Sequence, residues 1–561
     1  MFIHPKIFFL FFLFSFPVIS FPQSPTWQWA KSFGGSNTDN SKSIVCDNTT
    51  GDVYMTGSFL SPTLPFDTVT LNYNNGSTFI TKFDMNGNTI WAKNFGKISG
   101  GIDIALDSTN GDILITGTFG DTVMTIDTVI LINQSPGDYE IFVARYSSQG
   151  NFKWAKSIGG KYWDRSNAIT VDKSGNAYIT GYVASDTVYV GSDTLFTDGV
   201  SGDIFIAKYD PFGNPLWAKS FGGNWLDYGA DIAADPLTDE IYISGRFDSD
   251  TITFGTYTFI NTTTAFGADA DYFLLKLSPF GNVIWAVSAI GKDNDVGASI
   301  SVEKGTGNIY VAGYFLSDTI TIGAITLINT AQAWTPFIVK YDSAGNTIWA
   351  KNPQCGLYSS SFLGLTINPA NKKLLFAGWF QGSAITFDAV TVNAGNPSGN
   401  GGLVVIEVDT AGTALWGLSG GGGIVNAVAS NNGDIFCNGS FSFSSVTIGS
   451  TTLTNAGVSS SDIFLAKISP FNSVQETGQQ LFSSLVFPNP FCATATLLIN
   501  DFPTGNFELS IYDSFGNMVK QQLFNNGQTI IDENNLAKGL YIYKIANGNK
   551  QVIATGKFII Q

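Results

Sequence analysis

The residues best suited to chemistry in this chain are acids, and they come at fixed places. Asp39, Asp164, Asp227 and Asp295 each stand eight residues before a further acid, respectively Asp47, Asp172, Asp235 and Glu303. A second set, Glu140, Asp203, Asp271 and Asp462, opens apolar runs such as "DIFIAKYD", and a third, Asp121, Asp186, Asp250 and Asp318, begins stretches rich in Thr and Val. Two carboxylates can cleave a glycosidic bond, one as acid and the other as nucleophile or base. Carboxylates with carbonyl oxygens can also hold a hard cation. One active site needs one pair, however, whereas an acid repeated in register accepts backbone N–H bonds in a tight loop. We therefore read Asp39, Asp164, Asp227 and Asp295 as architectural, with Ca²⁺ ligation as the alternative, and expect no cofactor and no catalytic residue. "DMNGN", "DSAGN" and "DKSGN" lack the alternating acids and terminal Glu of a calcium loop and read as turns. The only histidine is His4, in the N-terminal apolar segment. The rest of the chain therefore has no Ser-His-Asp or Cys-His site and no imidazole for zinc. The four cysteines are far apart without a CxxC pair, and Cys46 and Cys437 stand where sister repeats carry apolar residues, so they read as core.

Aromatic residues break the repetition more informatively. Of 12 tryptophans, Trp29, Trp91, Trp154, Trp217, Trp285, Trp349 and Trp416 share one repeated position, while Trp27 and Trp379 fall in strands. Trp163 in "GGKYWDRS", Trp225 in "GGNWLDYG" and Trp334 in "TAQAWTPF" remain, with Tyr162 and Tyr228 beside the first two. Their loops are expected at one face, making Tyr162, Trp163, Trp225, Tyr228 and Trp334 the candidate ligand-binding residues. Trp163 and Trp225 would form a continuous strip, flanked by Asp164 and Asp227, suited to a sugar ring or a protein partner.

The elements that must position them follow from three motifs with a period of ~64 residues. The Trp motif ("NPLWAKSFGG") is joined by "NAYITGYV" and by "DIFIAKYD", each with relatives along residues 27–473. All are of strand length, apolar or alternating, and bounded by Gly, Asn, Asp or Pro. Each repeat contains four strands and one longer excursion after the second. Four antiparallel strands repeated radially make a β-propeller. The seventh repeat stops at "PFNS" without its Trp strand, and the orphan "WQWAKSFGG" near the N-terminus can supply it. Closing the ring this way pairs edges that an open array would expose.

Charged residues are only 13% of the chain, against about 25% in ordinary soluble proteins, and the net charge is −16. That excludes nucleic acid and anionic membrane surfaces as partners, since both need a positive patch. Residues 1–20 read as a signal peptide, with Lys6 before the apolar "IFFLFFLFSFPVI". No later segment reaches the ~18 apolar residues of a membrane span.

Taken together, "WAKSFGG", "AITVDKSGNAYITG" and "DIFIAKYDPFGN" resemble the seven-bladed β-propeller repeat family of exported bacterial proteins. The resemblance covers residues 27–473 and implies fold and export; the sixth copy departs most, with "NPQCGLYSSSFLG" and "LVVIEVDTAGT". After a polar linker at 474–484, residues 485–561 alternate as a small Ig-like β-sandwich would. This segment resembles the C-terminal sorting domain of the Bacteroidetes type IX secretion system. The matching residues are Pro488-Asn489-Pro490, Tyr512-Asp513, Gly516, Leu536, Gly539, Tyr541 and Gly556-Lys557. The resemblance implies passage through the periplasm and across the outer membrane by the type IX machinery, removal of the domain, and release or surface attachment. The expected protein is all-β, monomeric and exported, a non-enzymatic binding or adhesion module for a glycan or protein. The alternatives are an extracellular carbohydrate-active enzyme using carboxylates and a structural surface protein.

Overall fold

The structure is a computed structural model that describes residues 25–469 and 484–561, apart from 74–76, 97–98, 198–200, 262–268, 290, 356–358, 396–400, 432, 458–459, 500–505, 514–517, 526, 535 and 548–551. The signal segment 1–20, and the linker at 474–484 up to its last residue, lie outside the described residues. The chain divides between Phe471 and Asn472 into two compact units. Among the described residues every long element is a β-strand.

Among the described residues, the first unit contains seven four-stranded antiparallel sheets. In the third, for example, Asp164–Val171 pairs with Ala177–Val183, which pairs with Asp203–Tyr209, which pairs with Pro215–Phe221. The middle strands are buried almost throughout, because sheets cover both their faces, and they consequently read as continuous apolar runs. Successive first strands pack side by side. That of the last sheet, Gly423–Asn431, packs against that of the first, Asp39–Cys46, so the ring is closed. The last sheet is completed by Thr26–Phe33, paired with Asp462–Ser469 as its outer strand. Repeated four-stranded sheets about a common centre are a β-propeller.

The excursion after each second strand is a further hairpin, to which the sequence pattern assigns no structure of its own. Thr63–Phe66 pairs with Val69–Asn72, and Thr251–Phe254 with Tyr257–Ile260, and five more pairs repeat the pattern. Two residues turn each hairpin, the first with left-handed backbone, as at Asp67 (φ 47) and Gly255 (φ 60). One face of the hairpin buries Leu64 and Phe66, or Ile252 and Phe254, against the outer edge of its sheet.

The repeated tryptophans join neighbouring sheets. Trp154 donates its indole N–H to Pro211 O at 3.0 Å, Trp217 to Pro279 O at 3.1 Å, and Trp285 to Ser343 O at 3.1 Å. Each ring also lies on the glycine of that same turn in the next sheet. A Cβ on Gly213 would stand 2.7 Å from Trp154, and one on Gly87 2.6 Å from Trp29. These glycines have φ near +80°, so they meet both a close approach and a left-handed backbone. A Lys on the third strand reaches the same carbonyl: Lys208 donates to Pro279 O at 3.1 Å and Lys276 to Ser343 O at 3.1 Å. The second sheet carries Arg145 at this position, and the sixth sheet departs further, as anticipated from "LVVIEV". Glu407 replaces the Lys there, and Trp416 donates to its carboxylate at 2.7 Å.

In the second unit, Ser484–Phe487, Thr494–Ile499 and Gln528–Asp532 form a three-stranded sheet, and Met518–Phe524, Phe507–Tyr512, Gly539–Asn547 and Val552–Ile560 a four-stranded one. One core containing Leu497, Leu509, Ile531, Tyr543 and Phe558 draws on both.

Candidate binding site at the mouth of the ring

The recurrent aspartates begin the first strands and lock the loops at one end of the ring. Asp164 Oδ2 accepts the N–H of Gly160 at 2.8 Å and the Ser185 hydroxyl at 2.6 Å, while Oδ1 accepts the N–H groups of Ala184 at 3.0 Å and Ser185 at 3.1 Å. Asp39 and Asp227 repeat this set with Ser61 and Ser249, and Asp295 bonds Ser317 at 2.9 Å. All four carboxyls are fully buried. They face N–H and O–H donors, whereas a cation site presents oxygen acceptors. Among the described residues no three His, Cys, Asp or Glu side chains are grouped so as to hold a metal ion.

Burial pushes these carboxyls up, Asp164 to about 6, Asp227 to about 7 and Asp295 to about 8, against the donors that lower them. Their partners from the second set are also raised by burial, Glu140 and Asp271 to about 7 and Asp462 to about 6. Among the described residues, Asp295 Oδ1 and Asp271 Oδ2 are buried without a hydrogen-bond partner. Each group has a folded-state pKa above its unfolded value, so the folded chain binds more protons. The stability from this source is full below pH ~4 and is lost as pH rises through 6 to 8. The melting temperature is therefore expected to rise by a few degrees from pH 8.5 to pH 5.5, and Asp295→Asn to flatten that dependence. Thermal melts across this range check it, and a melting temperature that falls towards pH 5.5 contradicts it.

The same end of the ring carries all three candidate tryptophans. The Trp163 carbonyl accepts Ala184 N–H at 3.2 Å, the Trp225 N–H donates to Ser249 Oγ at 3.0 Å, and the Trp334 carbonyl accepts Ser360 N–H at 2.8 Å. They do not form the expected strip. Trp225 stands two residues before its aspartate and so matches Tyr162, whose N–H donates to Ser185 Oγ at 2.9 Å; the match to Trp163 is Leu226. Asp164 and Asp227, expected beside a ligand, are buried and committed to backbone and Ser donors.

What the structure brings together instead is a rim around two adjoining hollows. One, of about 370 Å³, is lined by Trp163, Tyr139, Arg165, Tyr182 and Lys42 over the glycines Gly100 and Gly101. The other, of about 420 Å³, shares Arg165 and Tyr182 and adds Leu226, Tyr228 and Tyr314. Trp163 is 54% exposed and Tyr139 38%, and their rings meet edge to face at 5.9 Å. The Trp163 indole N–H donates to Asp138. Tyr228 carries Arg246 over its ring at 5.1 Å, and Trp334 backs the rim against Tyr314 at 5.0 Å. Tyr162 is 37% exposed with Lys161 over its ring at 5.5 Å. Trp225 lines neither hollow.

Sequence reasoning missed Tyr139, Arg165, Tyr182 and Tyr314. A signal existed for Tyr139: it immediately precedes the third strand, as Trp334 does, and its carbonyl likewise accepts the first N–H of the next sheet. Below the rim, the first strands of all seven sheets line a central cavity of about 560 Å³. Two further acids face it: Asp103 accepts Ile169 N–H at 2.8 Å, and Asp231 accepts Ile300 N–H at 2.8 Å. Burial raises both, Asp231 to about 7 with Asp103 adding to the effect.

Residues 485–561 match the family model described as the secretion system C-terminal sorting domain. The chain thus carries a type IX sorting domain at its C-terminus, an address for the cell surface or the extracellular space. The first unit is a β-propeller by its repeated sheets. An uncharacterised WD repeat-containing protein of Acanthamoeba polyphaga mimivirus is 24% identical over 445 aligned positions, and the match covers 65% of this chain and 31% of that protein. Among solved structures, Sqt1 from Chaetomium thermophilum aligns with a TM-score of 0.37 and 9% identity over 76% of this chain and 99% of its own. PorZ, a bacterial surface component of the type IX secretion system of Porphyromonas gingivalis, aligns with a TM-score of 0.15 and 10% identity over 95% of this chain and 100% of its own.

Proposed function

We propose that the chain is an exported, non-enzymatic binding protein: a seven-bladed propeller closed by its N-terminal strand, delivered by an Ig-like sorting domain, that holds a glycan at the mouth of the ring. The observation that carries this reading is the exposed Trp163–Tyr139 pair beside a hollow of about 370 Å³. Exposed rings with a polar edge stack on pyranose faces while their N–H and O–H groups stay hydrogen-bonded. Asp39, Asp164, Asp227 and Asp295 are poorly placed for a catalytic role, because each is buried and accepts a Ser hydroxyl.

Replacing Trp163 and Tyr139 together with Ala tests the reading. Retention of the full chain on insoluble polysaccharides is expected to fall by at least about tenfold, since two aromatic contacts contribute ~0.5 to 1.5 kcal/mol each beyond their burial. The melting temperature should stay within a few degrees, because both rings are exposed. Unchanged retention would remove the rim from the account. A second reading, a carbohydrate-active enzyme, is favoured by one observation: Asp103 and Asp231 face the same central cavity with raised pKa values.

A further inference from the structure

The chain has three arginines in a background of net charge −16. Two are neutralised where they stand. Arg145 is buried between Asp107 and Asp112, and Arg246 pairs with Asp248 at 3.1 Å. Arg165 is exposed at the rim, on the opposite side of its strand from the buried Asp164, and among the described residues it has no ion-pair partner. Lys42 lines the same hollow and likewise has no ion-pair partner among the described residues.

The local backbone explains how two cations from non-adjacent sheets share one space. Arg165 is the second residue of the third sheet's first strand, directly opposite Tyr182. Lys42 is the unpaired residue of a bulge between Ser41 and Ser43 in the first sheet. The sheet between them presents Gly100 at the level of Arg165, where an added Cβ would meet only Ser58 at 3.7 Å, and Ile102 at the level of Lys42, so no polar side chain of that sheet stands between the two cations. Lys42 is exposed to the hollow, and desolvation by the surrounding protein, then the charge of Arg165, lower its pKa. Asp164 also lines the hollow but is committed to Ser185 and backbone donors, and among the described residues no carboxylate pairs with either cation. Like charges held together at a partly desolvated site favour an anion between them.

We propose that the hollow over Gly100 and Gly101 binds an acidic sugar residue, its anionic group held between Arg165 and Lys42 and its ring against Trp163, Tyr139 and Tyr182. This assignment rests on the rim being a saccharide site. A guanidinium fork matches a carboxylate or a sulfate with two parallel N–H bonds, and the ammonium adds a point charge. An anion from either source is the shared chemistry. On a chain that repels polyanions overall, such a site would have to act locally, through contact rather than long-range attraction.

Calorimetric titration of the full chain with oligogalacturonate, sulfated dextran oligosaccharide, neutral dextran oligosaccharide and poly-L-glutamate decides the matter. The expected result is that one of the acidic saccharides binds at least about tenfold more tightly than neutral dextran. Arg165→Gln should remove that advantage, so that acidic and neutral saccharides bind alike, and Arg165→Lys should restore part of it. The preferred source, carboxylate or sulfate, is read from which acidic saccharide binds. Equal binding of acidic and neutral saccharides, tighter binding of poly-L-glutamate, no binding of either acidic saccharide, or an Arg165→Gln chain that keeps the advantage would each overturn the proposal. Retention that survives Arg165→Gln but not the Trp163 and Tyr139 double replacement defeats only the acidic specificity. Retention that survives both defeats the binding reading as well.

Discussion

Deleting Thr26–Phe33 is expected to unfold the ring or lower its melting temperature by more than 10 °C, on the order of what several lost kcal/mol produce. The strand is the outer edge of a sheet in which its neighbour is Asp462–Ser469, and Trp27 also donates its indole N–H to Ser419 O at 3.0 Å in the outer strand of the sixth sheet. Its loss bares the N–H and C=O groups of Asp462–Ser469 along a row of paired residues. It also removes Phe33, buried against Phe66 at 4.9 Å and Phe83 at 5.4 Å in the first sheet, and Trp29 from Gly87. Lys31, which donates to Gly87 O at 2.7 Å, goes with them. Truncating one large buried aromatic residue costs ~3 to 5 kcal/mol, a large part of the ~5 to 15 kcal/mol that holds a protein folded. Thermal and chemical melts measure the effect; an unchanged melting temperature would show that the ring closes without this strand.

Removal of the second unit is expected to change location and leave the fold. A chain truncated after Phe482 keeps every sheet of the first unit. Its melting transition should match that of the first unit in the whole chain. In the native host it should accumulate in the periplasm, with at least about a tenfold loss from the medium and cell surface, because residues 485–561 are the sorting domain. Immunoblots of cell fractions check this. Normal amounts of the truncated chain outside the cell would mean that the address lies elsewhere.

The repeats were legible because the chain writes its middle strands as apolar runs and its turns as Gly-containing acid-led loops. Asp210 shows why the turn signal is so clear: its carboxylate accepts Phe212 and Asn214 N–H at 2.8 Å each, leaving Gly213 to take the left-handed position. The missing Trp strand was legible for the same reason, since a staple with no neighbour is conspicuous. The outer hairpins were harder. Their strands are four residues long, and their turns, such as Asp67-Thr68, sit inside Thr- and Val-rich alternation without a stronger break.

The rim was legible only in part. Trp163 stood out because large aromatics in loops are rare, but the registers of Trp225 and Tyr162 depend on a one-residue offset that period-2 reasoning cannot fix. Arg165 and Lys42 were hidden by the bulges in the first strands. Lys42 is itself the unpaired residue of its bulge and Arg165 stands just before the bulge of its own strand, and one unpaired residue per strand shifts the parity, so inward-facing positions do not follow a single period of two. Asp103 and Asp231 sit next to those bulges and were missed for the same reason.

The account rests on a ring that holds a saccharide without cutting it. The direct measurement is reducing-end release, assayed alongside retention, for the full chain incubated with the polysaccharides it retains. The account predicts retention with no new reducing ends above the buffer control, and no change when Asp103 and Asp231 are replaced by Asn in a chain that still melts cooperatively. Release of reducing ends that disappears in the Asp103→Asn, Asp231→Asn chain would contradict it, and would make the central cavity an active site.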